Sequence, residues 1–214
     1  MKKLLARIKG GAAPAPRARG DEEPGFFSTM FTERGDETQL QHISWATRCV
    51  EVGAEPFDRQ QGAHLFAHLW AEDRHVADLG DDGVERLCQY LEFVTVPAGR
   101  EVIDQDEQGD YMMIVLEGTL AVDRVQPWGG RARLAEARAG DMLGEMSLLD
   151  AGARFSACTT LTPCTLAVID AQRLDQLMNA EPRLALALLA SLSRRLSLRL
   201  RQVSARLSAL LSRS

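Results

Sequence analysis

The 214-residue chain is 45% hydrophobic and 26% charged, with a formal net charge of −5 at pH 7. That length holds one well-buried core with appendages and leaves a second full domain cramped, and the acidic balance argues against a protein that coats nucleic acid through bulk charge. The charge is unevenly placed: residues 1–20 carry Lys2, Lys3, Arg7, Lys9, Arg17 and Arg19 without an acid, and Arg183 to Ser214 holds seven arginines without one.

In chain order, the basic Met1-Lys2-Lys3-Leu4-Leu5 is followed by too short an apolar run for a signal peptide, and no stretch of ~18 apolar residues follows anywhere. The expectation is a cytoplasmic protein without a transmembrane segment. Residues 1–37 read as a disordered basic, Pro-rich tail, because Gly, Ala, Pro, Arg and acids (GGAAPAPRARGDEEPG) gather there without hydrophobic periodicity. Residues 38–79 read as a helical extension, clearest where Leu65, Phe66, Leu69 and Trp70 form one stripe. Asp81 or Asp82 offers an N-cap for a helix carrying Val84, Leu87, Cys88 and Leu91, and the pattern changes to strands at Phe93.

Between Phe93 and Asp170 short β-like runs alternate with turns: FVTV, PAG, REVI, DQDEQGD, YMMIVLEG and TLAVDRVQ. Pro127-Trp128-Gly129-Gly130 is a hairpin signal, with RARLAEAR returning as the partner strand and TLTPCTLAVID closing the run. Many short strands with frequent glycine turns mean a barrel, roll or sandwich. Asp170 restarts helix, and Pro182 suits the first position of a last helix of ~30 residues, against the ~11–12 of an ordinary one. Its apolar positions Leu189, Leu192, Leu196, Leu200, Val203, Leu207 and Leu210 recur three and four apart. So long a stripe needs a partner, and self-association is the preferred expectation over packing wholly against its own roll.

Chemistry concentrates in GDMLGEMSLLDAGARFSA, residues 140 to 157. Gly144 lets backbone approach a ligand, and the N–H groups opening a helical turn at Met146-Ser147 favour an anion. Arg154 adds a charged fork for phosphate oxygens, and Glu145 accepts hydrogen bonds from hydroxyls. Together they suit a ribose phosphate.

Here the sequence resembles the cyclic-nucleotide-binding domain family over roughly residues 80 to 205. The resemblance rests on PAG at 97–99, I-DQDEQGD at 103–110, YMMIVLEGTLAV at 111–122, GDMLGEMSLLD at 140–150 and ARFSA at 153–157. It implies a mainly β fold with flanking helices: an eight-stranded, jelly-roll-like β-roll, or double-stranded β-helix, with a long C-terminal helix, all within residues 80–214. It also implies a phosphate-binding cassette over about Gly144 to Ala157. Gly144, Glu145, Met146, Ser147, Arg154, Phe155 and Ser156 would form the ligand site, the last two through backbone N–H groups. Two departures stand out. Phe155 replaces the usual small residue after the arginine, which makes cyclic GMP a poorer ligand than cyclic AMP. Asp106 replaces a loop glycine and must tolerate left-handed backbone.

The function so implied is an intracellular cyclic-AMP-sensing regulatory module acting through the C-terminal helix on a protein effector, with a homodimer through that helix. Ser191, Ser193 or Ser197 would face the purine. Because the chain stops at Ser214 without a recognition helix, no specific DNA binding is expected. The alternative is a ligand-independent scaffold in which Glu145 and Arg154 pair with each other and Phe155 fills the vacant pocket. No catalytic residue, metal site or cofactor is expected. His64 and His68 lack an HExxH glutamate, His42, His64, His68 and His75 all precede the strands, and Cys49, Cys88, Cys158 and Cys164 form no CxxC pair and read as reduced, buried thiols.

Overall fold

The computed structural model describes residues 25–37, 42–71 and 73–212. In chain order the elements are α1 (Phe26–Glu37), β1 (His42–Ile43), α2 (Trp45–Val52), β2 (Glu55–Pro56), α3 (Arg59–Trp70), α4 (Arg74–Ala77) and α5 (Gly80–Cys88). The strand region follows as β3 (Glu92–Val96), β4 (Glu101–Ile103), β5 (Gln108–Gly109), β6 (Tyr111–Glu117), β7 (Thr119–Val125), β8 (Arg131–Arg138) and β9 (Met142–Leu143). Then come α6 (Glu145–Asp150), β10 (Ala157–Thr160), β11 (Cys164–Asp170), α7 (Ala171–Ala180) and α8 (Pro182–Leu211).

Two antiparallel sheets face each other, one ordered β4-β10-β7-β8 and the other β2-β3-β11-β6-β9. With β2 set aside as an edge strand from the N-terminal extension, they supply the eight strands of the expected roll. The RARLAEAR segment pairs antiparallel with β7 across the Gln126–Gly130 turn, as the hairpin signal predicts.

Period-two alternation divides the core. Tyr111, Met113 and Val115 of β6 point between the sheets with Val102, Leu120, Leu166 and Val168. Met112, Ile114 and Leu116 point outward and pack with Phe66, Trp70, Leu87, Leu174, Leu188 and Leu192 from the helices. Both faces of β6 and β11 are covered, so these strands read as continuous apolar runs.

The extension is part of this packing. Trp45 and Val52 of α2 join the cluster between the sheets, and β1 pairs in parallel with β5. The disordered tail expected through residue 37 must be corrected at its end: residues 26–37 are helix α1, with Phe27 and Phe31 buried in the outer cluster, while residues 1–24 lie outside the described residues. Phe27 and Phe31 lie four apart and so share one helical face, a short apolar signal beside a Pro-rich segment. Asp175 of α7 completes the dock by accepting from the backbone N–H groups of Phe27 (2.9 Å) and Ser28 (2.8 Å) and from the Ser28 hydroxyl (2.7 Å).

A second correction concerns α5, which begins at Gly80. Leu79 stands at its N-cap without a side-chain bond, and Asp81 and Asp82 sit in the first turn, where they complement the helix dipole instead of capping. Pro182 does open α8, which runs 30 residues. Its first turns are anchored through Leu184, Leu188, Ser191 and Leu192; beyond Leu192 none of its described residues is buried.

Replacing Asp175 with Ala strands buried N–H groups of α1 and is expected to cost about 1–3 kcal/mol in urea unfolding. Amide exchange should rise in residues 26–33 while β6 and β11 stay protected; unchanged protection of α1 would contradict this docking.

Candidate functional site

Gly144 links β9 to α6 in a left-handed conformation (φ 79°). A Cβ there would lie 2.6 Å from Arg154 Nη1 and 2.9 Å from the Tyr111 carbonyl, so only glycine fits. Gly109 plays the same part from β5, where a Cβ would lie 2.6 Å from Arg154 Nη2.

Between these glycines the Arg154 side chain is 1% exposed. Nη1 donates to the Gly144 carbonyl (2.8 Å) and Nη2 to the Tyr111 carbonyl (2.7 Å), and the guanidinium stacks 4.5 Å above the Tyr111 ring. Nε is buried and without a partner. Burial lowers the Arg154 pKa from its ordinary value, pushes the Tyr111 phenol up to about 12, and pushes the neighbouring Cys158 thiol up to about 12. The backbone is stitched too: Arg154 N–H donates to the Glu107 carbonyl (2.8 Å), and Asp106 N–H donates to the Arg154 carbonyl (2.9 Å). Asp106 adopts φ 66°, the left-handed geometry expected of it.

Glu145 follows Gly144 and is 3% exposed. Its partner is not Arg154. Arg199 of α8 donates through Nη1 to Glu145 Oε1 at 2.6 Å, so the pairing of Glu145 with Arg154 that the scaffold alternative supposes is not formed. Burial raises the Glu145 pKa, with the Arg199 charge opposing that shift. One turn earlier, Arg195 donates to the Gly140 carbonyl (2.8 Å), lies 3.6 Å from Asp73 and stacks 4.6 Å over Trp70.

Phe155 is 55% exposed and does not fill the space between Glu145 and Arg154. The plug that the scaffold alternative supposes is therefore absent. Arg124 of β7 lies 4.2 Å over the Phe155 ring and donates to its carbonyl. Ser147 is buried, Ser156 is half-buried, and exposed Met146 lines an apolar groove with Leu149, Leu196, Ser197, Leu200 and Val203. The serines of α8 differ from expectation. Ser191 donates to Asp73 (2.6 Å) in the helical layer, Ser193 bonds the Leu189 carbonyl (2.8 Å), and only Ser197 faces α6.

Five site residues escaped sequence reasoning: Gly109, Tyr111, Arg124, Arg195 and Arg199. The two α8 arginines sit in a run of like residues with no local mark to separate them. The extension also contributes, since Trp45 packs on Tyr111 (5.3 Å between centroids) and Arg48 pairs with Glu107. Among the described residues, no three His, Cys, Asp or Glu side chains converge to hold a metal ion, and no helix is long and apolar enough to cross a membrane.

Residues 93–181 match the family model of the cyclic nucleotide-binding domain. This segment belongs to that family. Among its relatives, the CRP-like cAMP-activated global transcriptional regulator of Mycobacterium tuberculosis is 32% identical over 113 residues, covering 53% of this chain and 50% of that protein. The cAMP-activated global transcriptional regulator CRP of Haemophilus influenzae is 33% identical over 109 residues, covering 50% and 49%. The chain thus spans about half the length of these curated relatives. The crystal structure of a cyclic nucleotide-binding domain from Methylobacillus flagellatus superposes with a TM-score of 0.67 at 25% identity, covering 72% of this chain and 86% of that one.

The raised Glu145 pKa gives this cyclic nucleotide-binding domain a pH signature. A carboxyl that holds its proton more tightly when folded stabilises the fold below its unfolded pKa, about 4.3, and loses that contribution as pH rises through the folded value. Urea titrations across this range should show wild type losing stability relative to Glu145→Gln as pH rises; parallel curves would contradict the burial of this group.

Proposed function

We propose that the chain is a cyclic-nucleotide-sensing regulatory module that prefers cyclic AMP to cyclic GMP and transmits binding through α8. The observation that carries this reading is the buried Arg154 fork, which holds the start of α6 through Nη1 and keeps one nitrogen, Nε beside Gly109, without a partner. A desolvated cation with an unused N–H is costly without a ligand and suits a phosphate oxygen. Glu145, adjoining the carbonyl that Arg154 holds, would accept from ribose hydroxyls. Gly144, Met146, Ser147, Phe155 and Ser156 would complete the pocket, the last two through backbone N–H groups. The Phe155 ring offers a stacking face but no hydroxyl for guanine, which favours cyclic AMP. The cAMP-activated regulators among the relatives support the same ligand.

The partner we propose first is a second copy. Leu196, Leu200, Val203, Leu207 and Leu210 alternate four and three apart, a heptad seam, and Leu200, Val203, Leu207 and Leu210 are exposed. Arg199 and Arg206 flank one side of the seam, with Ser197, Ser204 and Leu211 on the other. Parallel pairing places each arginine opposite an uncharged residue of the second copy, whereas antiparallel pairing opposes arginine to arginine. Charge therefore selects the parallel dimer. A separate protein effector would then read the state of α8.

The alternative, a ligand-independent scaffold, draws on the fact that Glu145 and two of the three Arg154 nitrogens already have partners within the chain. Calorimetric titration decides between them. Sensing predicts micromolar cyclic AMP binding, weaker cyclic GMP binding, and loss of heat in Arg154→Ala, in a protein that sediments as a dimer. The scaffold predicts no heat with either nucleotide in wild type.

A further inference from the structure

We infer that Arg199 is a latch: its ion pair with Glu145 holds the ligand-free state, and ribose hydroxyls must displace Arg199 from that carboxylate to bind. The inference deepens the sensing reading and rests on it. Its basis is an asymmetry in burial, since the Glu145 side chain is 3% exposed and that of Arg199 is 51% exposed. The receptor is fixed inside the cassette, whereas the donor reaches it from water and returns there at little cost.

The Arg199–Glu145 bond carries charge on both partners and a hydroxyl–carboxylate bond on one only, so a sugar alone would not displace Arg199. Release needs the phosphate to bond Arg154 at the same time. The device therefore discriminates against a free nucleoside.

The segment that moves is also marked. Leu192 is fully buried, and Arg195 is tied to the Gly140 carbonyl, Asp73 and the Trp70 ring. From residue 196 onward α8 is held by Arg199, through Glu145 and more weakly through the Met142 carbonyl (3.5 Å), and by the open groove where Leu196, Leu200 and Val203 face Met146 and Leu149. Opening the latch lifts residues 196–211 from α6 and frees Leu200 and Val203 for a partner. Linkage makes the effect reciprocal: a partner that takes the lifted helix tightens nucleotide binding by the same factor.

The test compares wild type, Arg199→Ala, Arg199→Gln and Arg201→Ala by cyclic AMP calorimetry and by amide exchange of residues 196–211. Arg201 is an exposed neighbour that controls for lost charge. The latch predicts binding about 5–150-fold tighter in Arg199→Ala, an intermediate gain in Arg199→Gln, which keeps a donor without the charge, and no change in Arg201→Ala. Exchange of 196–211, measured below the concentration at which α8 pairs with a second copy, should rise in ligand-free Arg199→Ala and in wild type saturated with cyclic AMP. Wild-type binding with equal or weaker binding by Arg199→Ala overturns the latch alone, as does unchanged exchange. Absence of heat from every variant overturns the sensing reading and the competition with it.

Discussion

A guanidinium buried between two carbonyls organises this molecule. Arg154 can sit inside the protein only because the Gly144 and Tyr111 carbonyls accept from it and the Tyr111 ring lies beneath it. That placement dictates glycine at 109 and 144, since a methyl group at either would meet the fork. It also explains the docking of the extension, where Trp45 backs Tyr111 and Arg48 engages the Glu107 whose carbonyl holds the Arg154 backbone.

The two charged groups of the cassette answer to different parts of the fold. Arg154 is held by the roll, through β5, β6 and the start of α6, and stays put while the sheets are intact. Glu145 is held by α8, through one half-exposed side chain. A ligand touching both would be held by the roll at Arg154 and would take the place of α8 at Glu145, which is the condition for turning binding energy into displacement of a helix. The apolar stripe past Leu192, which faces α6 through Leu196, Leu200 and Val203, gives that displacement something to expose.

Much of this was legible in the residues because the relevant signals are local. Glycine turns and period-two runs placed the strands from Phe93 to Asp170, the 127–130 turn placed a hairpin, and Pro182 placed the start of α8. The resemblance implies that Gly144 and Arg154 come together, which they do through a 2.8 Å bond, and the departure at Asp106 has the left-handed backbone expected of it. What could not be read depends on contacts far apart in sequence. Arg199 meets Glu145 across 54 positions and Asp175 meets Phe27 across 148, and neither pairing leaves a periodic trace. Helix α1 was hidden for a related reason, since its few aromatic residues acquire order only against α7. Sequence leaves two places open for the Phe155 ring, stacking near a base or plugging the pocket, because it supplies a ring's size and not its direction; the ring is exposed, with Arg124 over it.

The central claim is that the leftover donor on Arg154 is where a phosphate binds. Nitrogen NMR of the Arg154 Nε–H group, followed through a cyclic AMP titration, tests it most directly. The account predicts one resonance, protected from solvent in the free protein, that moves strongly on saturation and gains a through-bond coupling to the nucleotide phosphorus. A nucleotide that binds while this resonance stays in place, or a protein saturated with cyclic AMP in which the donor exchanges freely with water, would contradict it.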